Sequence, residues 1–189
     1  MYLLGSNTEQ QIIKLFSRGD ASAMDMLYNA FSGYLTAVCS RYIANEDDVK
    51  DVLQESFIII FTKIPSFEYH GKGSLKAWMT KIVVNESLSL LRKDKASPLV
   101  PALQEPPDMP DEEPALEDLK EKDILEMIRK LPTGYRKVFN LYVIDGYSHQ
   151  EIAKMLGIQP ATSASQFHRA RMMLASMIRQ KRNLADSRK

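Results

Sequence analysis

The chain has 189 residues, of which 44% are hydrophobic, 26% charged and 8% aromatic, the composition of a globular protein with room for one or two domains and a core that needs no disulfides. No apolar run approaches the ~20 residues of a membrane span, and Met1-Tyr2-Leu3-Leu4-Gly5 has neither the basic lead nor the apolar length of a signal peptide, so the cytoplasm is the expected location. A single cysteine, Cys39, rules out an internal disulfide and a cysteine-based zinc cluster and is expected in the core, and the net charge of +1 conceals an uneven distribution.

In chain order, apolar residues recur at helical spacing and no run alternates with a period of two, so the fold class is all-α. Thr8 to Ser17 forms a first helix, opened by Thr8 and Gln11 in capping-box spacing. Asp20 caps a second helix to about Ile43, with Met24, Leu27, Phe31, Tyr34 or Leu35, and Val38 on its inner stripe. Asn45 caps a third, which turns Val49, Val52 or Leu53, Phe57, Ile60 or Phe61, and Ile64 inward and stops at Pro65. After a loop over 66–73, Ser74 caps a fourth helix to about Lys93, buried through Leu75, Trp78 or Met79, Ile82, Val83, Leu88 and Leu91.

Residues 94–116 hold six of the 9 prolines together with six acids, a composition that blocks helix and repels itself into an extended linker. At ~3.1 Å per residue such a linker would span about 70 Å, close to two turns of DNA. The chain therefore divides into residues 1–93, the linker and residues 117–189. In the last part Glu117 to Lys130 forms a helix through Leu119, Ile124 or Leu125, and Ile128; Leu131-Pro132 ends it, and Thr133 caps the next. Ser148 and Glu151 form a second capping box, Gly157 permits a left-handed turn, and a long basic helix begins near Pro160.

Three segments carry chemistry. Asp47, Asp48, Asp51, Gln54 and Glu55 share one side of the third helix, continued by the apolar Ile58. The helix dipole explains acids in the first turn but not those beyond it, so the stripe reads as a docking surface for a basic protein. The second segment sets Phe67, Tyr69, His70 and Trp78 among Lys72, Lys76, Lys81, Arg92, Lys93 and Lys95, a pattern suited to unpaired nucleic acid, with stacking on rings and phosphates tracked by cations. Trp78 taken alone reads more simply as core. In the third, Ser148 to Arg171 has the layout of a helix-turn-helix, with Ile158, Ser163, Phe167, Ala170, Leu174 and Met177 inward and Ala161, Thr162, Ser165, Gln166, His168 and Arg169 outward. From Pro160 to the end, seven basic residues face the single acid Asp186, a net of +6 suited to a polyanion, with Arg171, Arg179 and Lys181 expected on phosphates.

Nothing points to catalysis or to a bound cofactor. Gly71-Lys72-Gly73-Ser74 fails as a nucleotide loop because Ser66 and Gly73 stand where that motif needs glycine and a hydroxyl residue. His70, His149 and His168 have neither metal-ligand spacing nor a paired carboxylate.

The run Asp47-Asp48-Val49-Lys50-Asp51-Val52-Leu53-Gln54-Glu55-Ser56-Phe57 resembles region 2 of the extracytoplasmic-function (ECF) sigma factors, members of the sigma-70 class. Gly73-Ser74-Leu75-Lys76-Ala77-Trp78-Met79 through Asn85 and Leu91-Arg92-Lys93 is similar to the family's stretch for the minus-ten element. Leu131-Pro132 through Tyr147-Ser148-His149-Gln150-Glu151-Ile152-Ala153, Leu156-Gly157-Ile158 and His168-Arg169-Ala170-Arg171 is similar to region 4. The resemblance implies a region 2 helical bundle and a region 4 helix-turn-helix. It further implies a non-enzymatic factor that docks Asp47, Asp48, Asp51, Gln54, Glu55 and Ile58 on the clamp helices of the largest subunit of core RNA polymerase. Phe67, Tyr69, His70, Lys72, Lys76, Trp78, Lys81, Asn85 and Arg92 would then read and melt the minus-ten element. Thr162, Ser165, Gln166, His168, Arg169 and Arg171 would read the minus-thirty-five element, with the polymerase flap and an anti-sigma protein as further partners. Ser163, Ala164 and Gln166 depart from the family pattern, so promoter preference does not carry over and Ser163 is expected to weaken packing. The competing reading is a stand-alone helix-turn-helix regulator with an N-terminal sensing domain.

Overall fold

The computed structural model describes residues 6–93 and 121–186; the linker expected over 94–116, the first residues of the helix expected from Glu117, and Arg188 and Lys189 lie outside them. Every regular element among the described residues is helical. The chain divides into two compact units, Met1–Asp94 and Lys95–Lys189.

Unit 1 contains α1 (Ser6–Ser17), α2 (Ser22–Tyr42), α3 (Glu46–Lys63), a 3-10 turn (Ile64–Ser66) and α4 (Ser74–Lys93). Helices α2, α3 and α4 pack against one another, and α1 lies on α2 and on the 3-10 turn. Leu27, Phe31, Leu35, Val38 and Tyr42 of α2 meet a core completed by Val52, Phe57 and Ile60 from α3 and by Leu75, Met79, Val83 and Leu88 from α4. Asn45 caps α3 as expected, its Oδ1 accepting from the amides of Asp47 at 2.8 Å and Asp48 at 3.1 Å. The 3-10 turn carrying Pro65 closes that helix.

Three local expectations change. Helix α1 begins at Ser6, so Thr8 lies inside the first turn and does not cap. On α2, Met24 is 51% exposed and the neighbouring Ala23 is buried in its place; of the pair Tyr34 or Leu35 it is Leu35 that is buried, with Tyr34 36% exposed, and Cys39 and Tyr42 widen the stripe. Asp20 sits just outside α2, where its carboxylate accepts from the Ser22 amide at 2.9 Å and the Ser22 hydroxyl at 2.7 Å, which lowers its pKa. Cys39 is fully buried as expected, and burial pushes its thiol pKa up.

Unit 2 contains α5 (Glu121–Lys130), α6 (Thr133–Phe139), a π-helical turn (Asn140–Ile144), α7 (His149–Leu156) and α8 (Pro160–Asp186). Leu131, Tyr135 and Ala170 form a buried cluster against which Phe139, Met173, Leu174 and Met177 pack. The Ser148–Glu151 capping box forms in full, and Gly157 is left-handed at φ 67°, ψ 35°. Thr133 does not cap α6; Pro132 precedes the helix and supplies no side-chain bond. Leu125 is 37% exposed, and Met127 with Ile128 carries the inner face of α5. Lys181, expected on phosphate, instead pairs with Asp123 at 2.5 Å and ties α8 to α5.

Because Leu27 is fully buried and Met24 half-exposed, Leu27→Ala should destabilise unit 1 by about 2–5 kcal/mol, whereas Met24→Ala should stay within about 0.5 kcal/mol. Urea unfolding followed by circular dichroism checks the contrast.

Candidate protein and nucleic-acid interfaces

Helix α3 buries Val49, Val52, Phe57 and Ile60, and this fixes what its other side presents. Asp47, Asp48, Asp51, Gln54, Glu55 and Ile58 are all exposed, Ile58 by 51%. Asp47 is partly offset by Lys50 at 2.8 Å, a solvated pair of small energetic weight. The remaining acids and Ile58 recur at three- and four-residue spacing, so they form one mixed acidic and apolar stripe.

The loop between the 3-10 turn and α4 is built on two glycines with positive φ, Gly71 at 109° and Gly73 at 89°. At its near end Phe67 donates to the Ile64 carbonyl at 3.0 Å and its ring packs on Trp78, centroids 5.1 Å apart. Trp78 is therefore neither fully core nor free; it is half-buried beneath Phe67. Tyr69 is half-buried, and His70 and Lys72 are exposed. Along α4, Trp78, Lys81, Asn85 and Arg92 fall on one face by helical spacing, the last three exposed. Lys76 does not join them. Its ammonium lies 3.8 Å from the ring centroid of Tyr34, whose hydroxyl is 3.2 Å from Thr80 Oγ1, so α2 holds it by a cation–π contact. In the sequence Tyr34 stood only as a candidate for the inner stripe of α2.

At the start of α8 the exposed positions are Ala161, Ala164, Ser165, His168 and Arg171. Thr162, Gln166 and Arg169 are half-buried, and the last two reach α6: Gln166 lies against Gly134, and Arg169 Nη1 donates to the Tyr135 hydroxyl at 3.3 Å. Ala164, not among the positions expected outward, belongs to the outward face. Ser163 does not loosen the turn. It is fully buried with its hydroxyl 2.9 Å from His149 Nδ1, and His149 stacks on Tyr142 with centroids 4.4 Å apart. A residue that looked like a packing defect is thus a polar latch between α7 and α8. Buried Arg136 donates to the Arg129 carbonyl at 2.8 Å, closing the turn between α5 and α6. Among the described residues no three His, Cys, Asp or Glu side chains gather as a metal site.

Ser163→Ala leaves His149 without its buried partner and should destabilise unit 2 by about 1–3 kcal/mol in urea unfolding. A loss below about 0.3 kcal/mol would show that the latch contributes nothing.

Comparison with known proteins matches each unit to a known family region. Residues 27–97 match the family model described as sigma-70 region 2, and residues 121–174 match sigma-70, region 4. The ECF RNA polymerase sigma-E factor of Haemophilus influenzae is 26% identical, with 90% of this chain and 95% of that protein covered. The ECF RNA polymerase sigma factor SigW of Bacillus subtilis is 29% identical, with 88% of this chain and 95% of that protein covered. Among solved structures, that of CnrH in complex with the cytosolic domain of CnrY aligns with a TM-score of 0.48 and 24% identity over 92% of this chain and 98% of that chain. With both units matched to successive regions of one family and relatives similar along nearly their whole length, the chain belongs to the sigma-70 family, as a sigma factor of the ECF type.

Proposed function

We propose that the chain binds core RNA polymerase through the α3 stripe, reads and melts the minus-ten element with the 67–73 loop and the Trp78, Lys81, Asn85 and Arg92 face of α4, and reads the minus-thirty-five element with the start of α8. It is a transcription initiation factor and carries out no reaction of its own. One observation above the others supports this use of unit 1: α3 keeps an unbroken acidic and apolar stripe exposed while α4, packed on it, exposes cations beside aromatics. A protein-docking face and a nucleic-acid face on one small unit suit a factor that bridges an enzyme and DNA. Membership of the family supports the clamp helices of the largest subunit as the docking partner, the flap as a contact of unit 2, and an anti-sigma protein as a further partner. No helix among the described residues is long and apolar enough to cross a membrane, which accords with action beside the polymerase in the cytoplasm.

Within α8 the exposed Ser165 and His168, flanked by Ala161 and Ala164, face base edges, with Thr162, Gln166 and Arg169 at the α6 side of that surface and Arg171 on phosphate. The stand-alone regulator does not fit, because the region 2 match accounts for the unit that such a regulator would use for sensing.

Reversing Asp51 and Glu55 together to Lys sets like charge against a basic partner and should abolish pull-down of core polymerase with the circular dichroism spectrum unchanged. Pull-down at wild-type strength would refute the docking assignment. In a promoter-variant binding panel, His168→Ala should relax preference at one or two positions by up to about 1–3 kcal/mol. Arg171→Ala should weaken all sequences alike and shallow the salt slope by about one unit.

A further inference from the structure

The N-terminus of α4 lacks any cap of its own. Gly73, not the expected Ser74, is the capping position, since its carbonyl accepts the first helical bond from the Ala77 amide at 2.9 Å, which puts Ser74 inside the helix. Its φ of 89° demands glycine, so this position offers no side-chain oxygen. Three residues on, where a capping box would place Glu or Gln, stands Lys76. Both amides that a capping box satisfies would be left open by the local sequence.

Glu9 of α1, 64 residues before Gly73, satisfies both. Its Oε2 accepts from the Gly73 amide at 2.8 Å and its Oε1 from the Lys76 amide at 3.2 Å. The side chain is only 5% exposed, and α1 is anchored in turn by the fully buried Ile12 and by Phe16, whose ring stacks on Phe61 of α3 at 6.3 Å. The turn ahead of α4 depends on the same corner: the Ser74 amide donates to the Gly71 carbonyl at 3.1 Å, and the His70 amide to the Ser74 hydroxyl at 3.2 Å. One buried carboxylate therefore fixes the far end of the loop bearing Phe67, Tyr69, His70 and Lys72.

Resting on the function proposed above, we propose that Glu9 is a positioning residue for promoter opening: it acts through the Gly73 and Lys76 amides to hold the 67–73 loop in the shape that receives unpaired DNA. Both bonds involve an ionised acceptor, the stronger kind of hydrogen bond. Glutamine can replace only one of them, since its amide group would set donor against donor at the second amide. Shape, not affinity for polymerase, is what the carboxylate supplies, because the α3 stripe lies on another helix.

The test uses holoenzyme reconstituted with the full chain and a promoter fragment selected by the wild-type holoenzyme from random-sequence DNA, offered as duplex and as its fluorescent single non-template strand. Wild type, Glu9→Gln and Glu9→Ala are compared for core binding, single-strand binding and hydrogen exchange over residues 71–77, at a temperature where circular dichroism shows all three folded. Core affinity should hold in each, exchange over 71–77 should rise in the order wild type, Gln, Ala, and single-strand affinity should fall about threefold for Gln and about tenfold for Ala. Single-strand affinity within about twofold of wild type in the Ala variant, or core affinity falling in parallel, would overturn the positioning role. A wild-type holoenzyme that starts transcription yet holds no single strand would overturn both this role and the minus-ten assignment, leaving the docking assignment untouched.

Discussion

Unit 1 depends on the burial of one side of α2 against α3 and α4, which also pack on each other. Three amphipathic helices that satisfy one another inwardly have their outer faces decided by the same act. Val49, Val52, Phe57 and Ile60 turn in, so Asp51, Gln54, Glu55 and Ile58 must turn out; Leu75, Met79 and Val83 turn in, so Lys81, Asn85 and Arg92 must turn out. The two faces proposed for function are thus consequences of core packing. Only the 67–73 loop escapes this rule, and there a buried carboxylate from α1 supplies the order that packing does not.

Unit 2 solves a different problem, the close approach of two helices through a short turn. Gly157 provides the left-handed corner, the Ser148–Glu151 box starts α7 cleanly, and the Ser163 hydroxyl joins His149 across the turn by a part-buried hydrogen bond. The π-helical turn before α7 widens the chain so that the Asp145 amide reaches the Asn140 carbonyl at 3.0 Å, leaving Tyr142, Val143 and Ile144 exposed while Tyr142 still stacks on His149.

Helical periodicity made the all-α class and most inner stripes legible in advance, because burial on one face writes a 3.6-residue signature. Caps were legible where the donor and acceptor are neighbours, as at Asn45 and Ser148, and illegible where they are not: nothing near Gly73 announces Glu9, and nothing near Ser163 announces His149. The choice between adjacent positions was the other weak point. Met24 and Tyr34 are exposed beside the buried Ala23 and Leu35, and only the neighbouring helices decide which of two such positions is covered. Basic residues gave the least information singly. Lys76 is held over Tyr34 and Lys181 on Asp123, though in sequence both look the same as the exposed Lys81. The acidic stripe was read correctly as exposed because its spacing left the core positions of α3 to other residues.

The central claim is that these two helical units together make core polymerase start at chosen sites. Run-off transcription with purified core polymerase, the full chain and a pool of genomic fragments tests it most directly. The account predicts discrete transcripts that core alone does not make and that vanish when either unit is omitted. Transcription no different from core alone, by a chain that is folded and bound to DNA, would contradict it.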